Sequence, residues 1–163
     1  MTLRLYPEEA RFLSAFPQVI YLSSGSVPWL VLAYDDTVDE SAFWVFPVDS
    51  FGGTSFSVTV YWIADSANAG SVVWQARIGA ITPNADSQDI TTKPLGLYAF
   101  GQQAHLGTNA RRLHKVTFTL SDFNALSDGD LVLVEVGRDA DSSFAQDDLV
   151  GDAHLVMVEV KWS

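Results

Sequence analysis

The sequence contains no cysteine, so neither a disulfide framework nor a thiolate metal site is available to it. It has 9 lysines and arginines against 20 acidic residues, which gives a formal net charge of -11. Because nucleic-acid binding is built from lysine and arginine contacts to phosphate, this charge balance argues against a nucleic-acid partner. No apolar stretch reaches the length of about eighteen residues that a membrane span needs. Glu8 and Glu9 interrupt the region where an export signal would be apolar, so we expect no membrane partner.

Apolar and aromatic side chains, in contrast, are abundant. Hydrophobic residues make up 48% of the 163 residues and aromatics 12%, which is the composition of a well-packed globule and not of a disordered chain. A chain of this length forms one domain with a sizeable core. Large aromatics serve either that core or an extended interface, and the core is their ordinary role.

Two similar apolar runs, 131–136 and 155–160, organise the C-terminal part of the chain. Both alternate with a period of two, which predicts strands with one valine-rich face each. The residues predicted for these buried faces are Val132, Val134 and Val136 in the first run and Val156, Val158, Val160 and Trp162 in the second. We expect the two strands to lie beside each other in one sheet.

Further short runs of strand-forming residues, bounded by turn residues, predict strands in the rest of the chain. They cover residues 29–34, 42–48, 55–64, 72–78 and 116–120. The runs 55–64 and 72–78 are joined by a polar loop that contains a glycine, a pattern that predicts a β-hairpin. With hardly any helix and no βαβ unit, the predicted fold class is all-β. We expect an antiparallel β-sandwich or jelly roll of about seven to eight strands with a short N-terminal arm.

Two segments depart from this pattern. Residues 1–28 form the predicted arm, in which Pro7 and the acids after it indicate a helix of about two turns. A turn-like segment, 23–28, separates the arm from the β-sandwich domain at 29–163. The arm is too apolar for a free tail, so it docks either on its own domain or on a neighbouring subunit. Residues 82–109 form a long insert, which is either functional or folded in a way that periodicity does not reveal.

Acidic residues cluster in two loops. The first loop contains Asp35, Asp36, Asp39 and Glu40, and the second contains Asp139, Asp141, Asp147, Asp148 and Asp152. Oxygen-rich loops can hold calcium, but Phe144 and Val150 stand where an EF-hand loop needs glycine and glutamate. A solvated charged loop is the ordinary alternative. We predict no metal ligands and no cofactor.

No catalytic motif is recognisable. The histidines, His105, His114 and His154, are not accompanied by a Gly-x-Ser-x-Gly nucleophile turn. Carboxylates are so numerous that no particular glycosidase pair stands out. The sequence therefore predicts no catalytic residues and a protein that is not an enzyme.

Two surface features are candidates for binding. Trp62 and Trp74 are in phase with buried residues, so Trp29 and Trp44 are the tryptophans that could form an open sugar platform. The basic cluster 111–115 either protects the edge of the following strand or meets an acidic turn of a neighbouring subunit.

From Tyr34 onward the sequence resembles a family of tailed-bacteriophage virion proteins with a β-sandwich or jelly-roll body. The resemblance rests on Tyr34-Asp35-Asp36-Thr37 with 40–41, on Val73-Trp74 with 78–83, and on 126–134 with 138–141 and 152–153. These positions are framework residues of turns and strands, and they extend over most of the chain. The N-terminal arm and the insert depart from the family pattern.

The resemblance implies a non-enzymatic structural protein of the virion, assembled in the host cytoplasm. Its expected role is a capsid decoration protein that binds the major capsid protein as a homotrimer and stabilises the head. The expected subunit or capsid interface consists of Leu5, Tyr6, Phe12, Phe16, Arg111 and Arg112. The alternative is a receptor- or carbohydrate-binding module of the phage tail, which would use a surface tryptophan and the 82–109 insert.

Overall fold

The computed structural model describes residues 1–23, 25–85 and 89–163, which form ten strands and one short 3-10 helix. Ser24, in the predicted turn-like segment, and residues 86–88, in the predicted insert, lie outside the described residues. The strands are β1 (Thr2–Leu5), β2 (Gln18–Leu22), β3 (Trp29–Tyr34), β4 (Glu40–Pro47), β5 (Phe56–Ala64), β6 (Gly70–Ile81), β7 (Ala99–His105), β8 (His114–Thr119), β9 (Leu131–Arg138) and β10 (Ala153–Trp162). The predicted all-β sandwich is confirmed. It has more strands than predicted because β1, β2 and β7 show no clear alternation.

Two antiparallel sheets pack face to face around the core. In the larger one, sheet A, the strand order is β2-β3-β10-β5-β8, and β1 pairs with the C-terminal half of β10. In the smaller one, sheet B, the order is β4-β9-β6-β7. The largest side chains buried between the sheets include Trp44, Trp62, Trp74, Tyr34 and Phe56. In the described residues no helix has the length and apolarity needed to cross a bilayer.

The two terminal strands lie in different sheets, so the prediction that they are neighbours in one sheet is wrong. β9 lies between β4 and β6 in sheet B, whereas β10 lies in the middle of sheet A. Their valines point into the same core, where Val134, Val136, Val158 and Val160 are fully buried. Alternation identifies the buried face of a strand but not its neighbours, and both arrangements bury the same side chains.

The alternation of core-facing and outward-facing side chains in β10 is interrupted in the middle of the strand. Its register with β5 shifts between Leu155 and Met157, as expected for a β-bulge. Leu155 and Val158 are therefore both fully buried, while Val156 is half-buried on the outer face of sheet A. The prediction that Val156 lies on the core face is wrong because the bulge breaks the period of two.

β5 and β6 do not pair with each other, so the predicted hairpin is wrong. β5 pairs with β8 and β10 in sheet A, whereas β6 pairs with β7 and β9 in sheet B. The polar loop with its glycine joins two sheets here, a connection that has the same composition as a hairpin turn. The predicted buried face is confirmed, since Phe56, Val58, Val60 and Trp62 are all fully buried.

The N-terminal residues are built into the sandwich. β1 pairs with β10 and β2 pairs with β3, and the predicted two-turn helix is reduced to a 3-10 turn at Pro7–Glu9. Arg11 then pairs with Phe43 of β4, with N–H···O distances of 2.8 and 3.0 Å between their backbones. A helix this short is marginal by itself, whereas pairing with β4 satisfies backbone groups and covers one edge of sheet B.

The predicted insert contains β7, whose alternation is hidden by Gly101. This glycine lies on the core face, where Phe118 and Val116 of β8 occupy the space of a side chain. A Cβ atom at position 101 would lie 2.5 Å from Cδ1 of Phe118. β7 therefore has no apolar side chain at its central core-facing position, and the hydrophobic periodicity of the sequence does not reveal the strand.

Candidate functional site

Trp29 is the exposed tryptophan of the molecule. It begins β3 on the outer face of sheet A, and 54% of its surface is exposed, whereas the other four tryptophans are at most 4% exposed. Trp44 is one of these four, and its indole Nε1 donates a hydrogen bond of 2.9 Å to the backbone oxygen of Tyr6. The prediction of an open tryptophan therefore holds for Trp29 and is wrong for Trp44.

Two cavities adjoin Trp29 and together form a groove, here called the Trp29 groove. Both cavities share Trp29, Leu113 and Val156 as walls. The first, of about 440 Å³, is also lined by Leu22, Gly25, Val27, Val31, Ile63 and Arg111. The second, of about 520 Å³, is also lined by Tyr6, Pro7, Glu8, Pro28, Leu30, Tyr61 and Met157. Volumes of this size are typical of small-molecule sites.

Both cavities of the Trp29 groove have polar residues among their walls. In the first cavity, Nε of Arg111 lies 2.7 Å from Oδ1 of Asp65 in a surface ion pair. In the second cavity, Glu8 contributes a carboxylate and Tyr6 and Tyr61 contribute hydroxyl groups. Mostly apolar walls that include an exposed indole and a few polar residues suit a ligand that has apolar faces and polar edges.

Two of the predicted interface residues meet at this groove. Tyr6 is 46% exposed and lines the second cavity, and Arg111 lines the first. Leu5, in contrast, is 4% exposed and belongs to the core of its own domain. Pairing of β1 with β10 turns this side chain inward, and the predicted contact of Leu5 with a partner stays a prediction.

The other predicted interface residues lie elsewhere. Phe12 and Phe16 contact each other with 5.5 Å between ring centroids, and Phe16 is 49% exposed. Nη1 of Arg112 donates a hydrogen bond of 2.6 Å to the hydroxyl of Thr108. The predicted major capsid partner, the homotrimer and the virion location stay predictions.

The aromatic residues of the predicted insert lie on the opposite side of the molecule from Trp29. On the outer face of sheet B, Tyr98 Oη donates to Oε1 of Glu135 (2.9 Å) and Arg77 Nε donates to Oε2 (2.6 Å). The Arg77 guanidinium lies 4.1 Å from the centre of the Tyr98 ring. Burial, followed by the charge of Glu135, raises the pKa of Tyr98 and keeps its hydroxyl protonated. Among the residues that the structure describes, Tyr98 and Trp29 therefore do not belong to one glycan site.

Asp39, Asp139 and Asp141 have carboxylate oxygens within 4.8 Å of one another, an arrangement that could hold a cation. Asp139 is fully buried and accepts hydrogen bonds from the hydroxyl of Ser143 (2.6 Å) and the backbone N–H of Phe144 (3.0 Å). Asp39 accepts one from the backbone N–H of Asp141 (3.1 Å). Burial raises the pKa of Asp39. These internal hydrogen bonds account for the positions of the carboxylates without an ion.

Arg138 anchors the second acidic loop. Its side chain is fully buried, and its Nε and Nη2 donate to the two carboxylate oxygens of Asp147 at 2.9 and 2.7 Å. Nη1 and Nη2 also donate to the backbone oxygens of Tyr34, Gly151 and Leu149 at 3.2, 2.9 and 2.8 Å. All five guanidinium N–H groups are thus satisfied.

Two buried histidines stack beside Trp62. The imidazole centroids of His105 and His114 are 4.7 Å apart, and that of His114 lies 4.8 Å from Trp62. Nε2 of His114 accepts from the backbone N–H of Leu106 (3.2 Å), so Nδ1 donates to the backbone oxygen of Arg112 (2.8 Å). Backbone groups occupy both nitrogens of His114, which leaves neither free to act as a catalytic base.

Stability is expected to fall as the pH drops below about 6.5. Burial lowers the pKa of His114 and of His154 below their ordinary value of 6.5. Between that value and the lowered folded-state pKa, the unfolded chain binds more protons than the folded chain, so folding loses free energy as the pH falls. The loss is at most about 1.4 kcal/mol per pH unit for each histidine.

Urea unfolding at about pH 7.5, 6.5 and 5.5 measures this loss. The variant His154→Gln cannot titrate and should show a weaker pH dependence than the wild type. The raised pKa values of Asp39, Glu40 and Asp152 act in the opposite direction, because the folded chain binds more protons than the unfolded chain between the ordinary carboxyl values of 3.8 and 4.5 and the raised folded-state values; the comparison with His154→Gln therefore isolates the histidine contribution. A free energy of unfolding that stays constant or rises towards pH 5.5 would contradict the prediction.

No family model and no curated protein matches this chain. Solved structures do resemble it. The CBM35 from Cellvibrio japonicus Abf62 has a TM-score of 0.55 at 8% identity, and the superposition covers 99% of this chain and 93% of that module. A family 35 carbohydrate binding module from an environmental isolate has a TM-score of 0.53 at 11% identity, covering 98% and 92%. A family 35 carbohydrate binding module from Clostridium thermocellum has a TM-score of 0.51 at 13% identity, covering 100% and 99%.

These likenesses show the fold, which is a jelly-roll β-sandwich like that of carbohydrate-binding modules. The β-sandwich that the phage resemblance implied is thereby confirmed, whereas membership of a phage family and the decoration role gain no support. The chain is thus an antiparallel jelly-roll β-sandwich with a groove beside Trp29 on the outer face of sheet A.

Proposed function

We propose that this protein is a non-enzymatic binding domain that holds a glycan in the Trp29 groove. The observation that carries the proposal is the 54% exposed indole of Trp29, which lines two cavities. The pyranose ring has an apolar face that stacks on indole, and its hydroxyl groups would reach the polar residues Arg111 and Glu8 in the walls of the groove. Jelly-roll likeness to carbohydrate-binding modules supports this function over capsid decoration. A position on a phage tail rests on the sequence resemblance and stays a prediction.

The arrangement favours an oligosaccharide over a single sugar. The two cavities share Trp29 as a wall, so a sugar stacked on the indole would leave space in the adjoining cavities for neighbouring sugars. Binding would position the glycan without changing its covalent structure.

The test is a glycan array probed with labelled protein, followed by titration of the hits with tryptophan fluorescence and calorimetry. We expect saturable binding with a dissociation constant between about 1 μM and about 1 mM, and a change in emission from the indole in the groove. Mass spectrometry of the recovered glycan should show it unchanged, and cleavage would contradict the non-enzymatic part. The proposal fails if no glycan on a broad array is bound.

A further inference from the structure

The free edge of sheet A carries an unprotected apolar strand. β2 (Gln18–Leu22) is the outermost strand on its side of the sheet, among the residues that the structure describes. It contains neither proline nor a charged residue, and its register with β3 is continuous without a bulge. Charges, prolines and bulges are the devices with which proteins prevent pairing of sheet edges. β2 uses none of them.

Apolar side chains of β2 are also left uncovered on the core-facing side. Val19 and Tyr21 lie in register with Leu32 and Leu30 of β3. Val19 is nevertheless 49% exposed and Tyr21 71%, because sheet B is narrower and does not reach this strand. Tyr21 is thus a large aromatic residue that is exposed to water on the outermost strand of the sheet.

The other sheet edges are either charged or occupied within the part of the chain that the structure describes. β1, which pairs only with β10, carries Arg4, whose Nε lies 3.6 Å from Oε2 of Glu159. The edge of β4 is covered by the residues around Arg11, which pair with Phe43. The edges of β7 and β8 lie against each other, where Phe118 packs on Gly101. β2 therefore differs from the remaining edges.

The charge distribution indicates which partner fits. The chain carries a net charge of -11, so two copies repel each other over most of their surfaces. From Phe12 to Tyr34, however, no residue carries a charge, and this stretch contains β2 and its partner β3. The side chains of this stretch therefore add no repulsion against a second copy, and an antiparallel strand is complementary to itself.

We infer that two copies of this protein associate through antiparallel pairing of β2 with β2 about a two-fold axis near Ile20. Val19 of one copy then faces Tyr21 of the other, which buries both side chains. The axis is perpendicular to the sheet, so sheet A continues from one copy into the next and both Trp29 grooves open on the same side. If the proposed function holds, such a pair would bind a polymeric glycan with avidity.

Light scattering and sedimentation equilibrium of the full chain from about 1 μM to about 1 mM test this inference. We expect a concentration-dependent species of twice the 17.8 kDa chain mass, and a stronger association at about 0.5 M salt than at about 0.05 M because salt screens the repulsion. A mass that stays monomeric over the whole range overturns the inference. A trimer also overturns it, because pairing of β2 edges closes at two copies.

Matched variants locate the interface. Tyr21→Glu places a carboxylate at the axis and should weaken dimerisation by at least about tenfold. Leu97→Glu adds the same charge at a residue 72% exposed on another surface and should leave the dimer intact. Val19→Lys, of opposite charge, should act like Tyr21→Glu. A dimer that survives both β2 variants, or one that Leu97→Glu disrupts equally, overturns the inference. These masses are measured without glycan, so they are independent of the proposed function.

Discussion

Replacement of Trp29 by alanine is expected to weaken glycan binding by about 30-fold or more, which corresponds to about 2 kcal/mol of binding free energy. The indole is the shared wall of both cavities, so its removal takes away the stacking surface and joins the cavities into one wide depression. Because Trp29 is 54% exposed and lies outside the core, the free energy of unfolding should change by less than about 1 kcal/mol. Calorimetric titration and urea unfolding of the variant measure the two quantities.

A matched control distinguishes a specific site from non-specific binding to any exposed aromatic side chain. Phe144 is 59% exposed and stacks on Phe100 with 4.4 Å between ring centroids, on the outer face of the other sheet. Phe144→Ala should leave glycan binding unchanged, and Trp29→Phe should retain part of the affinity because a smaller ring remains. Unaltered binding by Trp29→Ala rules out the Trp29 groove, and a loss confined to Phe144→Ala moves the site to sheet B.

Replacement of Arg138 by methionine is expected to destabilise the fold by about 3–5 kcal/mol. Arg138 and Asp147 form a fully buried ion pair, with side-chain exposures of 0% and 1%. Without the guanidinium, the Asp147 carboxylate is left as a buried charge without a cation. The backbone oxygens of Leu149 and Gly151 lose their donors at the same time. Urea unfolding measures the change, and limited proteolysis should cut within 139–152 more readily than in the wild type.

Two comparisons separate the possible causes of this loss. The double variant Arg138→Met/Asp147→Leu should recover part of the stability, because the uncompensated charge is gone. Arg111→Met breaks a surface pair whose side chains are 41% and 53% exposed, and should cost at most about 1 kcal/mol. A loss below about 1 kcal/mol for Arg138→Met, similar to that of the surface pair, would show that the buried network does not anchor the loop.

The faces of the strands could be predicted from the sequence, but their neighbours could not. Trp62 and Ile78 lie on the core face because alternation indicates which side chains of a strand are buried, whichever strands lie beside it. Pairing depends on which strands lie side by side, and the valines of β9 and β10 are buried equally well in one sheet or in two. The loop after β5 has the composition of a hairpin turn and nevertheless joins the sheets, so turn residues do not decide the pairing either.

The remaining errors in the fold have local causes. Val156 left the predicted face because a bulge adds one residue to β10, and the apolar run carries no mark of it. β7 was hidden because Gly101 has no side chain at the position where Phe118 packs. The arm formed strands because backbone partners on β10, β3 and β4 were available, and tertiary pairing outweighed the helical signal of Pro7.

The site was predictable in part. Trp29 and Trp44 both stand outside the clear alternation, so the sequence left both as candidates, and the burial of Trp44 depends on a distant partner, the backbone oxygen of Tyr6. Arg138 ends an apolar strand as an ordinary charged residue would. Its burial depends on carbonyl groups of the second acidic loop, which no local pattern reveals.

The stacking of His114 on Trp62 makes the fluorescence of Trp62 a reporter of the protonation of His114. A protonated imidazole over an indole is a cation–π pair, and it quenches the emission of that indole. Acidification should therefore dim the buried Trp62 without any ligand, whereas a ligand added at constant pH should change the emission of the exposed Trp29. One fluorescence instrument can thus report the protonation of the core and the occupancy of the surface as two separate signals.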